Sequence, residues 1–330
     1  MHGRALSCAD EALRASPRLV PALHLRAAAL AELGRLDDAR LAYAQALAVD
    51  PDDPETLLGA AELYVSRLAG GRPALTLGRD YALRGARVAL QRGRPNRELA
   101  GRLFLAAAMS ENDLGESRQA LAHAKHALEL GADTADGEYE RGVALYELCR
   151  FAEARACLER VLAIEPEDAF ALHHLALVAE ARGDPALADD LDRRARQLAP
   201  SDFPVPVELD RDAFEKEVRQ AVKSLPEHER RALEAVPVEV AEVPALDDLT
   251  AVEPPLSPSI LGLFRGPSEG ERCLPEDGPS CRSIVFYRRN LARFAQDRRE
   301  LQEQVRVTLL HELGHLHGES EDELRARGLE

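Results

Sequence analysis

Long hydrophobic runs are missing from this chain of 330 residues. No stretch approaches the roughly 18 consecutive apolar residues that a membrane-spanning helix needs. The first residues pass directly into the acidic pair Asp10-Glu11, without the apolar core of a secretory signal peptide. These absences argue against an integral membrane protein, and we expect a soluble protein of the cytoplasm.

Cysteine is also scarce, because the chain has only five, an odd number. So sparse a set in a chain of this size is typical of reduced thiols and argues against a disulfide framework. Cys149 and Cys157 fall in an Ala/Leu-rich segment, where we expect them in a helical core. Cys273 and Cys281 flank a Pro/Gly-rich loop at 274–280; they could pair across it, but the sequence favours exposed free thiols.

Positive charge is in deficit as well. The 42 lysines and arginines are outnumbered by 58 aspartates and glutamates, which gives a formal net charge of −16. Because so acidic a chain repels phosphate groups, the balance argues against nucleic acid or an anionic membrane as the main partner.

The first two hundred residues repeat with a period of 34. Pro17 and Pro51 are 34 residues apart, and so are Pro166 and Pro200. The last three of these prolines close the similar phrases ALAVDP, LAIEP and QLAP. Small residues recur where two paired helices must pack closely. This pattern resembles the tetratricopeptide repeat, over about residues 1–200.

The resemblance implies an all-α solenoid of about five helical pairs after a leading helix. One unit is longer than the others, and we place its extra residues in a Gly/Pro-marked loop at 67–73. Solenoids of this family usually bind peptide segments of other proteins in a concave groove, so we expect a protein partner there. The Lys/Asn/Arg clamp that holds a chaperone's C-terminal carboxylate is missing from the expected groove positions, which argues against that ligand.

The most specific motif is HELGH at residues 311–315. Side chains four residues apart share a helix face, so His311 and His315 can bind one zinc ion together. Glu312 would lie beside the ion, where its carboxylate can take a proton from a metal-bound water. This is the HExxH arrangement of zinc-dependent hydrolases. Apolar residues at helical spacing precede the motif, and Gly318 stands where a helix can end.

A catalytic zinc site has three protein ligands and one water, so a third ligand is needed. No methionine follows the motif, which excludes a Met-turn, and too few residues remain for a further ligand helix. The acids within 319–323 are the downstream candidates. Spacing favours Glu321, ten residues after His311, with Asp322 as the alternative. These acids could instead stabilise the start of a last short helix that Ser320 caps.

The composition changes after Pro200. Residues 201–209 form a proline-rich linker, and residues 210–330 predict a small α+β domain. Its predicted elements are helices at about 210–224 and 298–317 and strands at 236–243, 261–265 and 283–287.

Four segments of this domain resemble, in order, the minimal zincin-like metallopeptidases. They are LP at 225–226, SILGLFRG at 259–266, IVFYR at 284–288 and the run 301–318. The resemblance covers about residues 208–330 and implies a zinc peptidase whose active-site helix lies over a short sheet. Members often carry an acid three residues after the glycine of HExxHxxG, which here is Glu321.

The resemblance also suggests where a substrate would bind. Zincins generally hold the substrate extended along an edge strand, for which 261–265 or 283–287 is the candidate. Tyr287 or a nearby arginine could donate a hydrogen bond to the transition state.

The sequence therefore predicts a zinc-dependent metallopeptidase that hydrolyses peptide bonds. Its Zn²⁺ would be held by His311, His315 and Glu321, with Glu312 as the general base that passes the proton to the leaving amine. The repeat domain would recruit a protein substrate or partner. The alternative is a non-catalytic adaptor in which the zincin-like domain is silent, although the intact Glu312 favours activity.

Overall fold

The computed structural model describes residues 1–91, 95–207, 209–273 and 281–329. The loop predicted at 274–280 therefore lies outside the described residues. The chain divides into two compact units, Met1–Val178 and Ala179–Glu330. The domain limits drawn from the sequence (1–200, 201–209 and 210–330) stay predictions. Among the described residues, no helix is both long enough and apolar enough to cross a bilayer.

The first unit is helical, and successive helices pack on one another. Fully buried alanines lie within these helices, among them Ala27, Ala39, Ala82 and Ala107. Because an alanine puts only a methyl group between two backbones, neighbouring helices can approach closely. The helices are α1 (His2–Ala15), α2 (Val20–Glu32), α3 (Leu36–Val49), α4 (Pro54–Ser66), α5 (Gly71–Gln91), α6 (Arg97–Leu114), α7 (Ser117–Leu130), α8 (Thr134–Glu147), α9 (Phe151–Ile164) and α10 (Ala169–Ala181), which continues into the second unit.

The long repeat unit differs from its prediction. No loop spans 67–73, because α4 ends at Ser66 and α5 already begins at Gly71. The extra residues lengthen the helices instead, so that α5 has 21 residues and α6 has 18. Pro73 lies in the first turn of α5. Backbone N–H groups in the first turn have no acceptor within the helix, so proline, which has no N–H, is tolerated there.

The second unit contains a three-stranded sheet in the order β1-β3-β2. β1 is parallel to β3, and β2 is antiparallel to it. The elements are α11 (Pro185–Leu198), α12 (Arg211–Ser224), α13 (Glu227–Ala232), β1 (Val238–Ala241), α14 (Leu246–Leu249), β2 (Gly262–Arg265), β3 (Ser283–Tyr287), α15 (Arg288–Phe294), α16 (Arg298–His317) and α17 (Glu321–Ala326).

A single apolar core fixes α16 against the sheet and α12. Phe214 of α12, Phe286 of β3 and Leu309 of α16 are all fully buried in it. At the side of this core, Glu217 of α12 accepts hydrogen bonds from Arg298 and, at 2.8 Å, from Gln302. The long helix that carries HELGH is therefore held along its length.

The cysteines correct two expectations. Cys273 and Cys281 form a disulfide, with their Cα atoms 5.9 Å apart, whereas the sequence favoured free thiols. Cys149 lies in the turn after α8 with φ of 57° and is only half-buried, so it is not part of a helical core. Cys157 in α9 is buried, as expected.

We predict that Leu309→Ala lowers the free energy of unfolding of the C-terminal unit by about 2–5 kcal/mol, because it leaves a cavity in this core. Urea unfolding of the purified chain measures the change. The matched control is Leu246→Ala, since Leu246 is 48% exposed and its truncation should cost no more than about 0.5 kcal/mol. Equal losses in the two variants would contradict the assignment of the core.

Glu217 predicts an acid-dependent loss of stability. Burial alone would raise the pKa of this carboxyl, but the hydrogen bonds from Arg298 and Gln302 outweigh burial and hold the pKa below its ordinary value. The stabilisation is therefore fully present above the ordinary glutamate pKa of about 4.3 and is lost as the pH falls through the lower pKa of the folded state. In Glu217→Gln the loss of thermal stability at acid pH that Glu217 causes should disappear. In Glu303→Gln, at an exposed site on α16, more of the acid-dependent loss of stability should remain.

Candidate metal centre

The helix α16 brings the two histidines of the motif together. The Asp297 side chain caps its start by accepting a hydrogen bond from the Glu300 amide at 2.8 Å. Four residues apart on one face, His311 and His315 turn their Nε2 atoms toward each other at 3.1 Å. The helix ends at Gly318 with φ of 86°, a left-handed conformation that costs glycine little.

Two backbone carbonyls fix the orientation of these rings. His311 Nδ1 lies 2.6 Å from the Leu329 carbonyl oxygen, and His315 Nδ1 lies 3.3 Å from that of Glu319. A carbonyl oxygen only accepts hydrogen bonds, so each Nδ1 must donate. In the neutral imidazole the lone pair is then on Nε2, and both lone pairs point into the same space.

The carboxylate of Glu321 completes this group. Its Oε1 lies 3.2 Å from His315 Nε2 and its Oε2 lies 3.8 Å from His311 Nε2. His311, His315 and Glu321 are close enough to hold one metal ion together. Two tetrahedral zinc ligands at 2.0–2.1 Å from the ion lie about 3.3 Å apart, so the spacing of these donor atoms suits zinc.

The other acids within 319–323 have different roles. Asp322, the alternative ligand, is 92% exposed and pairs with Arg325 at 3.0 Å. Glu319 pairs with Arg327, and Glu323 joins Ser320 in a capping box at the start of α17. The cap predicted for Ser320 is therefore present, and it places Glu321 in the first turn of α17, facing the histidines.

Glu312 lies next to the histidines in a buried position. It is 5% exposed, and its Oε2 accepts a hydrogen bond from the Phe264 amide at 2.6 Å. Burial is the main cause that raises its pKa to about 7; the neighbouring His311 and the hydrogen bond from the Phe264 amide act in the opposite direction. A carboxyl group with a pKa near neutrality can both take up and release a proton.

The strand β2 passes directly beside Glu312. On the side of β2 that pairs with β3, the Leu261 carbonyl accepts a hydrogen bond from the Tyr287 N–H. The Phe264 N–H lies on the opposite side of β2, where it donates to the Glu312 carboxylate. The open edge of β2 thus borders the acid. A Cβ at Gly262 would lie 2.5 Å from Thr308 Cγ2, so glycine permits this close approach of strand and helix.

The structure disfavours one alternative in each of the two expectations about substrate binding. Residues 283–287 form the central strand, paired on both sides, and have no open edge for a peptide. Tyr287 is fully buried, so it does not reach a substrate. Of the two candidate edges, only 261–265 remains.

His317 points away from the candidate ligands. Its Nε2 lies 2.9 Å from Glu229 and its Nδ1 lies 3.1 Å from Glu269. The ion pair with Glu229, followed by that with Glu269, outweighs burial and raises the pKa of this imidazole. It ties the end of α16 to α13 and to the segment after β2.

Sequence reasoning missed the backbone partners of the site. The Phe264 amide and the Leu329 carbonyl are 48 and 18 residues distant from their partners in the chain. Every residue type supplies these groups, so no sequence pattern marks them. Gly262 was the one available signal, as a glycine inside an apolar strand.

Comparison with family models agrees with this architecture. Residues 233–329 match the model of the zincin-like metallopeptidases. Residues 20–63 and 135–168 match two models of the tetratricopeptide repeat. The zincin-like family implies zinc binding in general. A search of characterised proteins finds no match.

Solved structures resemble part of the chain. PilW, a widely conserved type IV pilus biogenesis factor, is 18% identical, with a TM-score of 0.51 over 61% of this chain and 87% of that one. YrrB, described as a TPR protein with an unusual peptide-binding site, is 19% identical, with a TM-score of 0.45 over 58% and 93%. At such identities a likeness shows the fold alone. The predicted architecture is confirmed: tetratricopeptide repeats in the N-terminal region precede a zincin-like metallopeptidase segment at residues 233–329.

Proposed function

We propose that this protein is a zinc-dependent metallopeptidase whose repeats recruit a protein substrate or partner. The observation that carries the proposal is the convergence of His311 Nε2, His315 Nε2 and the Glu321 carboxylate beside the buried Glu312. Two imidazoles and one carboxylate are a common ligand set of catalytic zinc sites, which leave one position for water.

The fit of the three residues to zinc rests on their chemistry. Both Nε2 lone pairs point at the same space, an arrangement that is repulsive until a cation lies between them. The carboxylate adds the negative charge that a dication favours. Zinc bound here would supply a Lewis acid that lowers the pKa of a water molecule and polarises a peptide carbonyl.

Glu312 is the proposed general base. The hydrogen bond from the Phe264 amide holds one carboxylate oxygen, and burial keeps the pKa near neutrality. The carboxylate takes a proton from the attacking water and passes it to the leaving amine.

The open edge of β2 is the proposed substrate-binding strand. The Gly262 backbone groups and the Phe264 carbonyl lie on the side away from β3, while the Phe264 N–H on that side already binds Glu312. An extended peptide pairing there gains main-chain hydrogen bonds whatever its sequence. Its scissile carbonyl would lie close to the three candidate ligands.

The repeats supply the proposed recruiting surface. Tetratricopeptide units stack into solenoids that offer a concave face to a peptide. The predicted cytoplasmic location stays a prediction. Cys8, Cys149 and Cys157 form no disulfide, which suits that location, whereas the disulfide of Cys273 and Cys281 is unusual in a reducing compartment.

Removing the third ligand should abolish tight zinc binding. Loss of a residue that only hydrogen-bonds to a zinc ligand lowers metal affinity by roughly 10–100-fold. Because Glu321 is itself a proposed ligand, we expect Glu321→Ala to lower zinc affinity by more than this. Competition with a chromophoric chelator measures the affinity. Asp322→Ala is the matched control, since that exposed neighbour pairs with Arg325, and it should bind zinc like the unaltered chain. A larger loss in Asp322→Ala would show that the ligand set is wrong.

Removing the base should abolish cleavage but not zinc binding. We expect Glu312→Gln to retain zinc and to lower kcat for an unstructured protein by about 10²–10⁴-fold, because the amide cannot accept the proton. Glu303→Gln, on the exposed face of α16, serves as the control with unchanged rates. Cleavage by Glu312→Gln at the native rate would eliminate the mechanism. Zinc binding without any cleavage by the unaltered chain would favour the adaptor alternative.

A further inference from the structure

A glycine lies between the two histidines of the motif, at position 314. Glycine is less favourable than alanine within a helix, because its backbone has more freedom to lose on folding. Gly314 is nevertheless buried near the end of α16. Side chains three and four residues apart share a helix face, so residues 311, 314 and 315 lie on one side of α16. The missing side chain of Gly314 therefore leaves a notch beside the two histidines.

The side chain of Leu324 fills this notch. A Cβ at position 314 would lie 2.3 Å from Leu324 Cδ2 and 3.4 Å from Leu324 Cγ, so an alanine there must displace Leu324. Leu324 is fully buried, and in a close-packed environment its side chain has little room to rotate away. The same Cβ would lie 2.9 Å from Glu319 Oε2, but that carboxylate ends a partly exposed side chain and can move aside.

Leu324 is the one buried residue of the short helix α17, all of which the structure describes. The other five residues of this helix are exposed. The contact between Leu324 and Gly314 is therefore the apolar attachment of α17 to α16.

Two groups of the candidate metal centre depend on where α17 lies. Glu321, in its first turn, carries the carboxylate that lies 3.2 Å from His315 Nε2. The Leu324 carbonyl accepts a hydrogen bond from the Leu329 N–H at 3.1 Å, and the Leu329 carbonyl in turn accepts one from His311 Nδ1 at 2.6 Å. A displacement of Leu324 would thus move both the candidate third ligand and the acceptor that orients His311.

We propose that Gly314 and Leu324 are a positioning pair, in which the notch at Gly314 receives Leu324 and so holds the Glu321 carboxylate at the metal centre. Neither residue has a side-chain atom that can bind the ion. The proposal rests on the proposed zinc site and adds the contact that places its third ligand. A glycine without this role would tolerate alanine, which favours a helix.

Zinc affinity, measured by competition with a chromophoric chelator, tests the pair. Gly314→Ala should bind zinc at least about 10-fold more weakly than the unaltered chain, as expected when a ligand loses its support. Leu324→Val removes the atom that clashes, so the double variant Gly314→Ala/Leu324→Val should recover most of the affinity. Gly3→Ala is the matched control, because a Cβ at this position in α1 meets nothing within 4 Å. Native affinity in Gly314→Ala, or no recovery in the double variant, would overturn the proposal.

A second background shows whether the effect passes through Glu321. In Glu321→Ala, measured with a weaker chelator, adding Gly314→Ala should cost less zinc affinity than it costs in the unaltered chain. Equal losses in the two backgrounds would show a general effect on folding and contradict the positioning role. Leu324→Ala introduces no clash and serves if Gly314→Ala does not fold. It should also weaken zinc binding, and native affinity in this variant would refute the proposal.

A metal-free measurement separates this proposal from the proposed zinc site. Hydrogen exchange of residues 321–329 in the zinc-free full chain should be faster in Gly314→Ala than in the unaltered chain, and it should slow again in the double variant. Absence of zinc binding by the unaltered chain would refute the zinc site. The exchange rates then decide whether Gly314 holds Leu324, and unchanged rates in Gly314→Ala would refute that contact.

Discussion

The constraint on which the site depends is the pair of hydrogen bonds from His311 Nδ1 and His315 Nδ1 to backbone carbonyls. They leave both Nε2 lone pairs facing one space, 3.1 Å apart. The carbonyls belong to Leu329 and Glu319, which both follow the helix that carries the histidines. The chain must therefore reverse after α16 before the histidines can be held in this way.

The reversal itself follows from local physical chemistry. Gly318 adopts a positive φ at the end of α16, and the Ser320 capping box starts α17 two residues later. This start puts Glu321 in the first turn, with its carboxylate 3.2 Å from His315. A dozen residues after the helix thus supply the acid and both carbonyls. The rigidity of α16, packed between α12 and the sheet, gives these short segments a fixed reference.

Glu312 shows how burial and a single hydrogen bond set the chemistry of one side chain. Exposed to water, the carboxylate would be fully ionised at neutral pH. Burial under β2 raises its pKa to about 7, and the Phe264 amide limits the rise. Strand and helix approach this closely only because residue 262 has no side chain.

The sequence by itself determined the repeat array, the order of the strands in the chain and the HExxH helix. These features are indicated by periodic or local patterns, which can be read without knowing which distant residues are in contact. The sequence spacing also indicated Glu321 as the candidate third ligand. Only the tertiary structure decided that β3 is the central strand, that Tyr287 is buried, that Cys273 pairs with Cys281 and that Asp322 pairs elsewhere. Pairing order, burial and the backbone partners of the site are set by contacts between residues far apart in the chain. Strand pairing and the backbone partners of the site use N–H and C=O groups that every residue carries, so composition and spacing leave no record of them.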